Sequence, residues 1–253
     1  MKLLEICVDS LASAKAAIRG GADRLELCAA LMAGGLTPYV HLLEQIRRES
    51  HIPIRCLMRP RAGDFLYAPE EIDLMAAQIS VLKAAGADGF VIGCLKADGT
   101  LDEDAMQKLI DAARGAPLTL HRCIDVSRDP LETYRTAGKL GIDTVLTSGA
   151  AANCTAGLDV IEELLRLRDQ EHGPEVLIGA GVKAPVISAI RAKLPHARAF
   201  HASCKADLPS AMAFRREGVP MGLPGLDEWH IQQTDEQAVR DAVTALRAPI
   251  CKN

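Results

Sequence analysis

Short apolar runs recur along the chain at intervals that a helix can fill, and they are entered in two alternating ways. In one, a glycine, a spacer and an aspartate come first: Gly21-Ala22-Asp23 before RLELC, Gly86-Ala87-Asp88 before GFVIG, Gly141-Ile142-Asp143 before TVLTS. A glycine that closes a helix, followed by a tight turn into a strand, accounts for that order. In the other, proline leads: Pro53 before IRCLM, Pro117 before LTLHR, Pro174 before VLIGAG. Adding Leu3 to Val8 at the start and Arg198 to Ala202 at the end brings the count to eight strands, with helical periodicity in most gaps. Eight strands in 253 residues predict an α/β fold of the closed (β/α)8 TIM type, one domain over residues 1–253. An open doubly wound sheet shares the alternation, but no GxGxxG or Walker-type sequence follows the first strand.

The helices carry their own start signals. Ser10 is placed to cap the stripe Leu11, Ala14, Ile18, and Asp129-Pro130-x-Glu132 sets a cap, a helix-starting proline and an acid in order. From Pro69 to Ala85 one face carries Ile72, Met75, Ala76, Ile79 and Leu82, which predicts a core-facing helix. Thr234-x-x-Gln237 reads as a capping box that opens a closing helix over 234–247. Residues 217–233 show no periodicity and predict a long loop over one face.

Composition narrows the function classes. Aromatic residues make up only 3% of a chain that is 49% hydrophobic, so Ala, Leu, Ile and Val must build the core. A formal charge of -4 and few stacking platforms exclude a nucleic-acid partner. No apolar run of about 18 residues occurs, and Glu5 and Asp9 interrupt the first apolar stretch, so no membrane partner is expected and the cytoplasm is the expected location. The eight cysteines, at 7, 28, 56, 94, 123, 154, 204 and 251, include no C-x-x-C pair and no closely spaced histidine partner. They read as reduced thiols, several of them buried.

Chemistry gathers at the ends of the strands, where a barrel builds its site. Strand alternation puts Leu3, Glu5 and Cys7 on one face and Arg24, Glu26 and Cys28 on the matching one. Unpaired charges are costly in an apolar interior, so these groups must converge on one another. Glu5 and Glu26 are candidate paired carboxylates, His121 a candidate proton carrier and Asp125 a carboxylate to orient either His121 or Arg122. Arg59, Arg61, Asp64 and Arg122 are candidates for anion capture. Ser148 and Gly149, then Gly179 and Gly181, then His201 and Ser203 end the last three strands with the small residues a backbone anion cradle requires.

Read in order, Glu5-Ile6-Cys7-Val8-Asp9-Ser10, Gly21 to Cys28, Gly34-Gly35-Leu36-Thr37-Pro38, Arg59-Pro60-Arg61-x-Gly63-Asp64-Phe65, Leu120-His121-Arg122-x-x-Asp125 and Val145-Leu146-Thr147-Ser148-Gly149 resemble the motif string of the CutC copper homeostasis family. The chain departs from the commonest form of that string at Ala62 and at Cys123-Ile124. The resemblance implies a TIM-type barrel, a cytoplasmic protein, a homo-oligomer (dimer or tetramer) and a role in copper tolerance or trafficking. It also implies Cu(I) ligation by two barrel cysteines, whose motif positions are Cys7 and Cys28 here.

Two readings therefore stand. A thiolate pair on adjacent strands suits Cu(I), but it leaves Glu5, Glu26, Arg59, Arg61, His121 and Asp125 without a task. Paired carboxylates, arginines and a histidine suit an enzyme acting on a small anionic, phosphorylated or sugar-like metabolite.

Overall fold

The computed structural model describes residues 2–216, 218, 219, 221, 222 and 227–249. Eight parallel strands, β1 (Leu3–Val8), β2 (Arg24–Leu27), β3 (Ile54–Leu57), β4 (Gly89–Ile92), β5 (Leu118–Leu120), β6 (Thr144–Thr147), β7 (Glu175–Ile178) and β8 (Ala199–Ala202), form a closed barrel in sequence order, with β8 pairing back onto β1. This is the TIM barrel that the strand count predicts. Around it run α1 (Leu11–Gly20), α2 (Val40–Glu49), α3 (Pro69–Ala84), α4 (Glu103–Ala113), α5 (Pro130–Lys139), α6 (Leu158–Glu171), α7 (Ala184–Lys193) and α8 (Glu236–Arg247).

The main core lies between barrel and helices: Leu4, Ile6 and Val8 face outward onto the same layer as Ile72, Met75, Ile79 and Leu82 of α3. Inside the barrel only two small apolar groups occur among the described residues, Leu146, Leu177 and Ala199 in one and Cys28, Leu57 and Val91 in the other. The remaining interior is polar and charged.

The glycine-x-aspartate repeat acts as a clamp. Gly21, Gly86 and Gly141 all adopt positive φ at helix ends, and each aspartate then reaches back to the preceding strand. Asp23 accepts from the Leu4 N–H at 2.8 Å, Asp88 from Ile54 at 2.7 Å and Asp143 from Leu118 at 2.5 Å. Each even strand β2, β4 and β6 is thereby pinned to its odd predecessor. Ser10 and Asp129 cap α1 and α5 as their sequence context predicts.

Two expectations near the C-terminus are corrected. Part of the 217–233 segment is strand: β10 (His230–Thr234) pairs antiparallel with β9 (Lys205–Pro209). The hairpin is held by backbone pairing while most of its side chains stay exposed, so no apolar alternation marks it. Residues 217, 220 and 223–226 of that segment lie outside the described residues. The cap of α8 is Asp235, whose carboxylate accepts from the Ala238 N–H at 2.6 Å. Thr234 instead ends β10, its N–H donating to Ser13 Oγ. Helix α8 packs on α1 and α7. It comes so close to Gly20 that an added Cβ there would lie 2.5 Å from Val239. No described helix is long and apolar enough to cross a membrane.

Candidate functional site

Strand register sets Arg24 of β2 and His201 of β8 on either side of Glu5 of β1. The Glu5 carboxylate, fully buried, accepts from Arg24 Nε at 2.5 Å and from His201 Nδ1 at 2.8 Å. One layer toward the strand ends, Cys7 pairs in register with Glu26, whose carboxylate lies 3.6 Å from His201 Nε2. Cys7, Glu26 and His201 each offer a ligand atom, all within 4.8 Å of one another. The convergence of charges that alternation demanded thus takes place, with Arg24 and His201 between the two carboxylates.

The two carboxylates are driven apart in acidity. Burial alone would raise Glu5, but the Arg24 guanidinium and the hydrogen bond and charge of His201 outweigh it and lower it to about 2. Burial lifts Glu26 to about 7, His201 pulling it back and the Glu5 charge pushing it further up. For His201, burial opposes the charged ring, yet the Cys7 sulfur, Glu26 and the hydrogen bonds to Cys7 and Glu5 raise it well above the usual imidazole range. Glu5 is therefore a fixed anion, and Glu26 is the carboxylate able to change state near neutrality.

His121 lies across a cavity of about 280 Å³ that is lined by Cys7, Glu26, Arg59, Phe65, Arg122 and His201 among others. Its Nδ1 accepts from the Cys123 N–H at 3.1 Å, so the neutral ring carries its proton on Nε2. That Nε2 is buried and has no partner among the described residues. Burial first, and the Arg59 charge second, lower His121 to about 3. At physiological pH it is a neutral ring that donates through Nε2. Gly93 makes room for it: an added Cβ would stand 2.5 Å from both the ring and Cys123 Sγ.

The remaining candidates are distributed by what their loops need. Arg59 donates to the carbonyls of Ala33, Gly35 and Gly63 and stacks over Phe65, which in turn packs on His121 at 4.7 Å. It braces two loops while lining the cavity. Arg61 binds Asp64, Glu71 and the Leu66 carbonyl outside the cavity, and Asp64 is exposed beside it. Asp125 is consumed in joining the β5 and β6 loops: it accepts from Thr147 Oγ1, the Ser148 and Ala150 N–H groups, Ser148 Oγ and Arg122 Nε. Of the two neighbours it could orient, Asp125 holds Arg122 and not His121. Ser148 is buried in the same knot. Gly149 lies against the Gly157 backbone and Gly179 against Leu146, so neither faces an anion.

Cys28 does not join Cys7 in the ligand cluster. Its thiol donates to the Val8 carbonyl, and it packs against Leu57 and Val91. Burial, with Glu26 next, raises it well above the usual thiol range. Gly181, Ser203, Lys183 and Lys205 line a wider opening of about 660 Å³ that shares Cys7, Arg122 and His201 with the deep cavity, forming a vestibule. Sequence reading passed over Arg55 and gave Arg24 no role. Buried Arg55 bonds Thr119, Thr144 and Asp143 across the barrel floor. Its position two residues before Leu57 on the inward face was the available signal. Of the two late cysteines described, Cys154 is buried and Cys204 partly exposed, while Cys251 lies outside the described residues.

A closed parallel barrel whose ionisable cluster and cavity lie at the strand C-termini defines the class, a TIM-barrel protein with its site where such barrels place it. The CutC family model matches residues 2–206, and the chain belongs to the CutC family. It is 38% identical over 240 residues to the copper homeostasis protein cutC homolog of Mus musculus, covering 94% of this chain and 87% of that protein. A family protein CutC of Chromobacterium violaceum is 40% identical over 246 residues, 97% of this chain and 98% of that one. The solved structure of a CutC protein from Streptococcus agalactiae superposes with a TM-score of 0.75 at 25% identity, covering 80% of this chain and 99% of that chain. The 3-hexulose-6-phosphate synthase of Salmonella typhimurium shares the fold alone, with a TM-score of 0.57 at 15% identity over 97% of this chain and 98% of that one.

Proposed function

We propose that this chain serves copper homeostasis in the cytoplasm by binding and passing on Cu(I), with Cys7 Sγ and His201 Nε2 as the ligand pair and Glu26 beside them. The observation that carries this reading is the clustering of those three ligand atoms within 4.8 Å. A thiolate and a neutral imidazole are the soft and borderline donors that suit Cu(I), so binding must displace the protons of Cys7 Sγ and of the otherwise cationic His201 at Nε2. Glu5, on the far nitrogen of His201, fixes the ring as an outer-shell carboxylate does for a ligating histidine. The Cys7 and Cys28 pair that the motif resemblance implies fits less well, because Cys28 lies outside the cluster of three ligand atoms and burial holds its thiol protonated, although each thiol donates to one carbonyl, Cys7 to Ala202 and Cys28 to Val8. The vestibule is the exit for a cargo ion.

An anaerobic Cu(I) competition titration against a chromophoric chelator tests the assignment. We expect one equivalent bound by the wild type, about tenfold or more weaker binding after Cys7→Ser or His201→Gln, and little change after Cys28→Ser. Loss in Cys28→Ser with retention in His201→Gln returns the site to the two thiols. No binding by the wild type removes copper.

A second reading, an enzyme acting on a small anion, is favoured by one observation. Two carboxylates of opposite acidity flank a cation beside a cavity, an arrangement suited to proton exchange by Glu26.

A further inference from the structure

Six buried side-chain polar atoms lack a partner among the described residues, and two of them, His121 Nε2 and Arg59 Nε, belong to residues lining the deep cavity. Both are donors. A buried donor without an acceptor costs about 1–3 kcal/mol, so two around one cavity call for an acceptor-bearing occupant. His121 cannot turn to a protein acceptor, because its Nδ1 is engaged by the Cys123 N–H and its ring is packed on Phe65. Arg59 cannot swing away, because its other nitrogens hold three loop carbonyls. The occupant must therefore bring oxygen acceptors to fixed donors.

Charge sets its class. Arg59 and His201 line the cavity beside Glu26, and Arg122 stands at its mouth, held there by Asp125 and Ser148, so cationic groups outnumber the one lining carboxylate. On the vestibule the exposed Lys183 and Lys205, with Arg122, outweigh Asp241 and make the approach electropositive. Size narrows it further: about 280 Å³ is below the usual span of ligand pockets, about 300–1,000 Å³. Leu57, Phe65 and Leu146 offer apolar wall for a short carbon skeleton.

We infer that the deep cavity binds a small carboxylate-bearing molecule whose oxygens accept from His121 Nε2–H and Arg59 Nε–H, with Arg122 closing on its charge. The inference rests on the second reading above and names its ligand class, and it requires no metal. The ligand enters through the vestibule and lies against Cys7, Glu26 and His201, so bound carboxylate and bound copper exclude each other.

The test uses the full-length protein kept copper-free with a chelator, titrated calorimetrically with glycolate, with glycolamide as its uncharged isostere, and with inorganic phosphate. In parallel the His121 ring resonances are followed on histidine-labelled protein. Saturable glycolate binding is expected to move the His121 signal, with glycolamide at least tenfold weaker and phosphate weaker still. His121→Asn keeps an acceptor for the Cys123 N–H and removes the Nε2 donor, so glycolate binding should fall about tenfold in it and in Arg122→Gln. If His121→Asn fails to fold, the wild-type ring signal decides alone. A glycolate response that leaves the His121 signal unmoved overturns the site. Phosphate binding in place of glycolate overturns the carboxylate class and leaves the small-anion enzyme standing, whereas equal binding of glycolamide, or none by any probe, overturns both.

Discussion

His121 keeps one protonation state across the range in which a free imidazole titrates, because its surroundings are apolar and Arg59 stands near. Its ring resonances should accordingly stay unshifted between pH 8 and about 5, and a midpoint near 6.5 in an NMR titration would contradict this. The sign of the linked stability change follows. The unfolded chain protonates this ring below about 6.5, whereas the folded chain holds it neutral to about 3. Between those values the unfolded state binds more protons, so this group makes stability rise with pH across that window. Denaturant midpoints measured at several pH values should show a shallower acid loss for His121→Asn than for the wild type. At the same scale, Arg61 and Arg59 look alike in sequence and behave differently. Arg61 satisfies Asp64 and Glu71 on the surface, while Arg59 is drawn inward by three carbonyls.

At the scale of elements, the three glycine-x-aspartate turns are the devices that fasten each even strand to the odd strand before it. Replacing Asp23 or Asp88 by alanine leaves a strand N–H without its acceptor and should cost about 1–3 kcal/mol, read as a lowered Tm. Asp143→Ala should cost more, because it also strips the buried Arg55 of its charged partner. Asp88→Ala also loses a pair, to the more exposed Arg47, so if Asp143→Ala is no worse than Asp88→Ala, the deeper burial of Arg55 adds nothing. The Gly93 to His121 packing gives a further expectation at this scale. Gly93→Ala should dislodge the ring or its Cys123 contact and lower Tm, with the His121 resonance as the specific readout. These turns and caps were legible in the chain because each is a local pattern of a few residues. The β9–β10 hairpin was not, because its pairing is made by backbone groups some 25 residues apart and leaves no apolar period.

On the scale of the whole molecule, the hairpin and its connection expose Leu208, Met212, Phe214, Met221 and Ile231, the last 57% accessible, beside the vestibule. Exposed apolar side chains gathered on one hairpin and its connection make a candidate association surface. We propose that a second copy of the chain covers it, in the dimer or tetramer that the motif resemblance implies. Sedimentation should show an oligomer that Phe214→Glu with Ile231→Glu dissociates, and a wild-type monomer at micromolar concentration would end the idea. Because Lys205 opens the same hairpin, association and access to the vestibule are expected to be coupled.

The sequence by itself determined the barrel, its strand order, the caps of α1 and α5 and the inward face that carries Glu5, Cys7, Glu26 and Cys28. All of these follow from local periods of two and 3.6 residues and from turn chemistry. It also carried the motifs of the family. Only the tertiary structure decided which of those inward groups meet. Closure brings His201 against Glu5 from 196 residues away, and the parallel register seats Cys7 beside Glu26 while Cys28 turns to Val8. Closure also brings His121 and Arg59, whose Nε2 and Nε have no partner among the described residues, to the lining of one cavity. The reason is that alternation tells which face a side chain takes, whereas its neighbours across the barrel depend on strand register and closure, which no local stretch of sequence contains.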